Sequence, residues 1–221
     1  MRGTIAWQTD STWPHSVPEL EIDLDHTALL VVDMQNPDHY GEVTDNCEKL
    51  IGFFRDQGME NIFVRVGYFL EDRRDMHPKR AQAWLRSGDG TGKTMLKGHE
   101  NQAIIDRLTP TGSEMVIDKN STSAFNSTGL EQYLHARQIE TLYVCGMATN
   151  HCVDNTARGA ADRGYNVVMV NDACWDPSER LHEATMRAFR RALGTVKDTA
   201  ELLTELHGIV SPGATAQGDT Q

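Results

Sequence analysis

The sequence lacks several features that would assign it to a large functional class. No apolar run is long enough to span a membrane, and the N-terminus MRGTIAWQTD has no apolar core of signal-peptide length. The glycine-rich GxGxxG fingerprint of dinucleotide-binding proteins does not follow the first predicted strand, and no GxxxxGK[ST] phosphate loop occurs. We therefore expect a cytoplasmic protein without a membrane partner.

Basic residues are also scarce relative to acidic ones. The chain has 21 Lys and Arg against 32 Asp and Glu, for a formal net charge of -11. This balance argues against a nucleic-acid partner, because binding to phosphate backbones needs a basic face. The four cysteines show no pairing pattern, and without a secretion signal they are expected to be reduced. They are Cys47, Cys145, Cys152 and Cys174.

The order of apolar segments predicts an α/β fold. The 221 residues are enough for a single domain with a good core. Strand-like and helix-like segments alternate, which is typical of a parallel sheet with helices on both faces. We predict six strands, at residues 27–33, 61–69, 114–118, 140–146, 165–171 and 194–197. The domain is predicted to span residues 27–207, after an irregular lead-in (1–26) and before a flexible tail (208–221).

Three chemically active side chains stand at the ends of predicted strands. Asp33 ends the run TALLVVD, Lys119 follows EMVID, and Cys152 lies at the start of a helical segment after ETLYVCG. Open α/β sheets bind ligands at the carboxyl ends of their strands. The three residues therefore predict one site with an acid, a base and a thiol.

Each of the three residues has a functional and a structural interpretation. A thiol in the first turn of a helix is expected to have a lowered pKa, so Cys152 is a candidate nucleophile. Most buried cysteines, however, only pack. Asp33 is a candidate general base or a helix cap, and Lys119 either favours the thiolate or is a solvated lysine.

Three sequence blocks resemble those of the isochorismatase-like cysteine hydrolases. They are VVDMQN (31–36), DKNSTSAF (118–125) and GMATNHCVDNTARGA (146–160), and the resemblance extends over residues 27–207. It implies a six-stranded parallel fold and a catalytic triad of Asp33, Lys119 and Cys152. It also implies a cis peptide bond between Met147 and Ala148, with an oxyanion hole formed by the N–H groups of Ala148 and Cys152.

The resemblance is closest to the amide and ureide branch of that family. It implies a C–N hydrolase of a ureidoacrylate, an N-carbamoyl amino acid, biuret or triuret, without a cofactor and with a homo-oligomeric (dimeric or tetrameric) assembly. A nicotinamidase-like metal enzyme is an alternative, since Asp75, His77 and His99 could supply metal ligands. An isochorismatase-type vinyl ether hydrolase and a non-catalytic binding module are two further alternatives.

Candidate substrate contacts follow from their position near the predicted strand ends. They are Asn36, Tyr40, Tyr68, Phe69, Arg73, Phe125, Asn150 and Trp175. The long connection 71–99 is charged and rich in glycine, and a connection of this length often forms a pocket wall. His151 precedes Cys152, but adjacent helical side chains point about 100° apart, so we expect it to face outward.

Overall fold

The N-terminal segment forms a small antiparallel sheet in the computed structural model, which describes residues 1–7, 17–85 and 95–211. Strand β1 (Arg2–Ala6) pairs with β2 (Glu19–Asp23). The prediction of an irregular lead-in is therefore wrong for these two strands. In both strands only one residue is fully buried, because alternate side chains face solvent.

A six-stranded parallel sheet forms the centre of the protein, as predicted. Its strands are β3 (Thr27–Val32), β4 (Glu60–Val66), β5 (Met115–Lys119), β6 (Thr141–Met147), β7 (Asn166–Trp175) and β8 (Thr195–Lys197). Their order across the sheet is β5-β4-β3-β6-β7-β8. All six residues of β3 are buried, which is expected of a strand covered on both faces.

The chain changes direction across the sheet beside β3. It builds β4 and β5 on one side of β3, and then returns to build β6, β7 and β8 on the other side. Open α/β sheets form a crevice at such a switch point, outside the carboxyl ends of the strands. The ends of β3 and β6 therefore mark the place where a ligand site is expected.

Helices cover both faces of this sheet. They are α1 (Glu42–Asp56), α2 (Pro78–Leu85), α3 (Leu130–Ala136), α4 (Asp154–Ala161), α5 (Glu179–Ala192) and α6 (Thr199–Val210). Leu50 of α1 and Leu206 of α6 belong to one core cluster, together with Ile5 of β1. Leu134 of α3 and Phe189 of α5 belong to a second cluster. The N-terminal strands thus contribute to the first core.

Three predicted segments differ from the structure. The sequence also predicts a short helix over Glu100–Leu108, but the structure has two 3-10 turns there, Glu100–Gln102 and Asp106–Leu108. The predicted tail begins inside α6, which continues to Val210, and residues 212–221 lie outside the described chain. The connection 71–99 contains α2, while its residues 86–94 also lie outside the description. Among the described helices, none combines the length and the apolar character needed to cross a membrane.

Candidate active site

The three predicted catalytic side chains meet at the carboxyl edge of the sheet. The Nζ atom of Lys119 lies 2.8 Å from Oδ2 of Asp33 and 3.3 Å from Sγ of Cys152. Asp33 directly follows β3 and has a φ of 54°, which an L-residue seldom adopts. Its N–H donates to Val64 O at 2.9 Å, so the neighbouring strand holds this conformation in place.

Lys119 is a fully buried cation with three hydrogen-bond acceptors around it. Besides Asp33 and Cys152, its ammonium donates to Ser121 O at 3.0 Å. A buried charge is costly unless it is paired and hydrogen bonded, and this arrangement provides both. Asp33 Oδ1 is also buried and accepts no hydrogen bond from the described residues. One carboxylate oxygen of the ion pair therefore has the capacity to accept a proton.

The thiol of Cys152 is more basic than the sequence predicted. Its pKa is raised to about 12, because burial and the negative charge of Asp33 raise it and Lys119 lowers it only in part. The prediction of a pKa lowered by a helix start is therefore wrong. The physical reason is that desolvation of a thiolate outweighs the favourable field of the helix and the lysine. In the resting site Cys152 is a thiol that needs a base.

The turn between β6 and α4 presents backbone N–H groups beside this thiol. The Met147–Ala148 bond is cis, as the resemblance implied. Residues Thr149–Val153 then form a short π-helical turn before α4, so Cys152 lies in this turn and not at the start of an α-helix. The N–H groups of His151 and Val153 donate to Ala148 O, at 3.0 and 3.2 Å.

The N–H groups of Ala148 and Cys152, which the resemblance implies as oxyanion donors, belong to this segment. Both residues line the cavity described below, whereas the N–H of Asn150 donates to Asp176 Oδ2 at 2.9 Å. Backbone donors of this kind can hold an oxygen that becomes negative during a reaction. The turn thus offers two donors next to the sulfur.

His182 on α5 contacts the turn between β6 and α4 through a hydrogen bond with Thr149. His182 Nδ1 lies 2.8 Å from Thr149 Oγ1, and its Nε2 lies 2.9 Å from Asn171 Oδ1. Asn171 donates its amide N–H to Asp198, so its Oδ1 must be an acceptor and Nε2 of His182 carries the proton. Burial lowers the pKa of His182 despite the neighbouring carboxylates, so the neutral ring accepts from the Thr149 hydroxyl at neutral pH.

A cavity of about 270 Å³ opens over Cys152. Asn36 and Tyr40 line it, together with the catalytic candidates Asp33, Ala148 and Cys152. Seven lining residues were not among the predicted contacts: Gln35, Val66, Arg80, Met95, Asn101, Met147 and His151. Position after β3 or β4 could have indicated Gln35 and Val66. Arg80 and Met95 lie in the connection 71–99, which was expected to form a pocket wall, although no pattern singled out these two residues or Asn101.

His151 lines the cavity and is also exposed to solvent. Its Nδ1 lies 3.7 Å from Sγ of Cys152, so the expectation of an outward orientation missed its closeness to the thiol. The π-helical turn explains the difference, because it changes the angle between adjacent side chains relative to an α-helix. Burial, Arg80 and Lys119 each lower the pKa of His151, which favours a neutral imidazole.

The other six predicted substrate contacts do not line this cavity. Tyr68 is buried under the guanidinium of Arg73, 4.9 Å from the ring centre, and Phe69 is partly exposed near Lys97. Phe125 packs under the guanidinium of Arg163 at 4.6 Å, and Trp175 meets Tyr40 edge to face at 5.1 Å. Asn150 is half-buried in the turn described above.

The three candidate metal ligands have separate roles in the local structure. Asp75 accepts from the N–H groups of Phe69 and Leu70, at 2.8 and 3.3 Å. His77 accepts from the N–H of Lys79 at the start of α2, and His99 accepts from the N–H of Asn101. Across residues 1–7, 17–85 and 95–211, no group of three or more His, Cys, Asp or Glu side chains is arranged to hold a metal ion.

Comparisons with known proteins agree with this geometry. A model of the isochorismatase domain matches residues 27–201. Ureidoacrylate amidohydrolase RutB of Acinetobacter baylyi is 30% identical over 204 residues, covering 81% of this chain and 83% of that protein. Nicotinamidase 3 of Arabidopsis thaliana is 29% identical over 187 residues, covering 82% and 89%. The crystal structure of N-carbamoylsarcosine amidase from Thermoplasma acidophilum superposes with a TM-score of 0.65 at 27% identity, covering 78% of this chain and 96% of that one.

Proposed function

The chain belongs to the isochorismatase family of hydrolases, and from this premise we propose that it uses Cys152 to cleave a C–N bond of a small amide or ureide. One observation carries the proposal: the ammonium of Lys119 bridges Asp33 and Cys152, both of which line the cavity. The names of two relatives, a ureidoacrylate amidohydrolase and an N-carbamoylsarcosine amidase, support the class of substrate.

In the first half of the proposed reaction, Cys152 is acylated. Asp33 accepts the thiol proton, and the thiolate attacks the carbonyl carbon of the substrate. The carbonyl oxygen becomes an oxyanion and accepts hydrogen bonds from the N–H groups of Ala148 and Cys152. When the C–N bond breaks, the protonated Asp33 gives its proton to the leaving nitrogen, which departs as ammonia or an amine.

In the second half, water removes the acyl group. Asp33 accepts a proton from the water molecule, whose oxygen attacks the carbonyl carbon of the thioester or thiocarbamate. The C–S bond then breaks, and the sulfur recovers a proton from Asp33. Lys119 keeps its positive charge throughout, so it stabilises whichever of its two neighbours carries the negative charge.

The raised pKa of Cys152 supports the need for Asp33 in this scheme. With a pKa of about 12, the thiol does not ionise by itself at neutral pH. Asp33 has a buried oxygen without a hydrogen-bond partner among the described residues, and it lies beside the same lysine. The carboxylate is therefore suited to take up the proton when the substrate excludes water.

The proposal is tested by measuring ammonia release from a panel of small amides and ureides. The panel contains nicotinamide, ureidoacrylate, N-carbamoyl amino acids, biuret and triuret. We expect turnover of at least one compound, lowered more than about 1,000-fold in Cys152→Ser and in Asp33→Asn. Cys174→Ala is the matched control, because Cys174 is another buried cysteine but lies outside the cavity lining. Release from no compound, or undiminished release by Cys152→Ser, would contradict the proposal.

A further inference from the structure

Asp176 is a carboxylate that contacts the turn between β6 and α4 but takes no part in the proposed acyl transfer. It directly follows β7, and its Oδ2 accepts a hydrogen bond from the N–H of Asn150 at 2.9 Å. Its Oδ1 accepts from the N–H of Ser178, the residue before α5, at 3.0 Å. The two oxygens of one side chain therefore join the turn to the start of α5.

The pairing of β6 and β7 explains why Asp176 reaches this turn. The two strands are parallel, and Met147 lies opposite Trp175 at their carboxyl ends. Asp176 is the next residue after Trp175, so it lies where the chain leaves β6. Burial lowers the pKa of His151 and of His182, and the negative charge of Asp176 opposes that shift in both. The carboxylate is therefore close to both imidazoles.

The segment before α5 fixes the direction of the carboxylate. The hydrogen bond from the Ser178 N–H closes a local turn around Pro177, whose ring restricts the backbone. Oδ1 is engaged in this bond, and Oδ2 accepts from Asn150. The partial positive charge at the N-terminus of α5 also attracts a nearby carboxylate. The bond to Asn150 is charge-assisted, and such bonds are roughly twice as strong as neutral ones.

Two side chains from the same region hold adjacent residues of the turn. Asp176 accepts from the N–H of Asn150, and His182 of α5 contacts the hydroxyl of Thr149. The two residues assigned as oxyanion donors lie on either side of this pair along the chain. Donors of this kind stabilise a transition state only when they are held to within about 0.5 Å of the productive geometry. The start of α5 is thus placed to determine that geometry.

We propose that Asp176 is a positioning residue, whose carboxylate fixes Asn150 and thereby the two N–H donors of the oxyanion hole. This inference rests on the proposed function and adds a residue to it. Loss of the carboxylate releases the Asn150 N–H and lets the turn change conformation, so the donors no longer meet the oxyanion. The contacts among Asp33, Lys119 and Cys152 remain, so the reactivity of the thiol is unchanged.

The test compares turnover and thiol reactivity in variants of Asp176. Asp176→Ala removes both acceptor oxygens, and we expect kcat to fall about 10- to 100-fold while KM changes less than about threefold. Asp176→Asn keeps one acceptor oxygen, so it should lose no more than Asp176→Ala, and it replaces that variant if it does not fold. Alkylation of Cys152 by iodoacetamide should stay within about twofold of the wild-type rate. Glu179→Gln, which removes the same charge from an exposed site on α5, should leave kcat unchanged.

Amide hydrogen exchange at Asn150 gives a second readout that needs no turnover. We expect exchange at least about 10-fold faster in Asp176→Ala, with the amides of α4 unchanged. Unchanged exchange at Asn150, an unchanged kcat in Asp176→Ala, or a parallel decline of kcat and alkylation rate would overturn the inference. If the wild-type protein hydrolyses no compound of the panel, the proposed function fails, and the exchange rates still decide whether Asp176 fixes the turn.

Discussion

At the scale of single residues, the reactivity of the site depends on whether one proton is bound to Cys152 or to Asp33. Cys152 has a raised pKa because it is buried beside the negative charge of Asp33, and Lys119 offsets that effect only in part. The resting pair is therefore a thiol and a carboxylate, not a thiolate and a carboxylic acid. Asp33, which accepts the proton, is therefore as important for activity as Cys152, which donates it.

Asp33→Asn is expected to change thiol reactivity and turnover in opposite directions. Removing the negative charge of Asp33 lowers the pKa of Cys152, so the thiolate forms at lower pH and iodoacetamide alkylation becomes faster at a fixed pH below the pKa of the wild-type thiol. The midpoint of the pH profile of alkylation should fall by about 1–3 units. Turnover should nevertheless be lost, because the general base is missing. A midpoint that rises or stays the same would contradict the assigned electrostatics, provided that circular dichroism shows a folded variant.

His151→Ala tests whether the imidazole of His151 or the carboxylate of Asp33 accepts the thiol proton. The imidazole lies 3.7 Å from Cys152 Sγ, which is close enough to suggest a Cys–His pair. Because we assign the base to Asp33, His151→Ala should lower kcat by less than about 10-fold, against about 100- to 10,000-fold for loss of a general base. Steady-state kinetics of the two variants on the same substrate checks this. A larger loss in His151→Ala than in Asp33→Asn would reverse the assignment.

At the scale of structural elements, the turn between β6 and α4 is the most specialised part of the fold. It joins a strand to a helix through a π-helical turn, and Ala148 and Cys152 both line the cavity. Gly146, at the end of the same strand, has a φ of 120°, and an added Cβ would lie 2.0 Å from Val32 O. Only glycine allows β6 to pass so close to the end of β3, where Asp33 begins.

His182→Ala should loosen this turn without changing the thiol. The buried hydroxyl of Thr149 loses its acceptor, which costs about 1–3 kcal/mol for an unpaired buried group. We expect kcat to fall about 10- to 100-fold because the N–H donors of the turn are displaced, while KM changes little. The alkylation rate of Cys152 should stay within about twofold of the wild type, since that reaction needs no oxyanion hole.

Two controls make this prediction specific to the hydrogen bond. Leu181→Ala changes an exposed neighbour on the same helix and should leave kcat unchanged. His182→Gln keeps a polar side chain that can accept from Thr149 and should recover part of kcat. If kcat and the alkylation rate of His182→Ala decline together, the histidine stabilises the domain in general and does not position the turn.

At the scale of the whole molecule, the sequence predicted the parallel sheet and the meeting of its three strand ends. Continuous apolar runs such as TALLVV identify buried strands directly, and parallel order brings their carboxyl ends to one edge. The antiparallel strands β1 and β2 were missed because each is short and mostly exposed, so little hydrophobic pattern marks them. The raised pKa of Cys152 and the presence of Arg80 in the cavity wall depend on contacts between segments that are distant in the sequence. A local sequence pattern does not reveal such contacts.

Ile5→Ala tests whether the N-terminal strands are part of the domain. Ile5 is 1% exposed and belongs to the same core cluster as Leu206 of α6. Truncating a buried isoleucine should lower the free energy of unfolding by about 2–5 kcal/mol, measured by urea denaturation. The substitution should leave kcat/KM unchanged at a temperature where the variant is folded, because Ile5 does not line the cavity. Undiminished stability would show that the N-terminal segment is dispensable for folding.

The central claim is that Cys152 forms a covalent intermediate with the substrate. The most direct measurement is an acid quench during turnover of whichever ureide or amide is hydrolysed, followed by peptide mass spectrometry. We predict an acyl or carbamoyl adduct on the peptide that contains Cys152, no adduct on Cys47, Cys145 or Cys174, and no adduct at all in Cys152→Ser. Turnover by Cys152→Ser at a rate near that of the wild type, without any adduct, would contradict the claim.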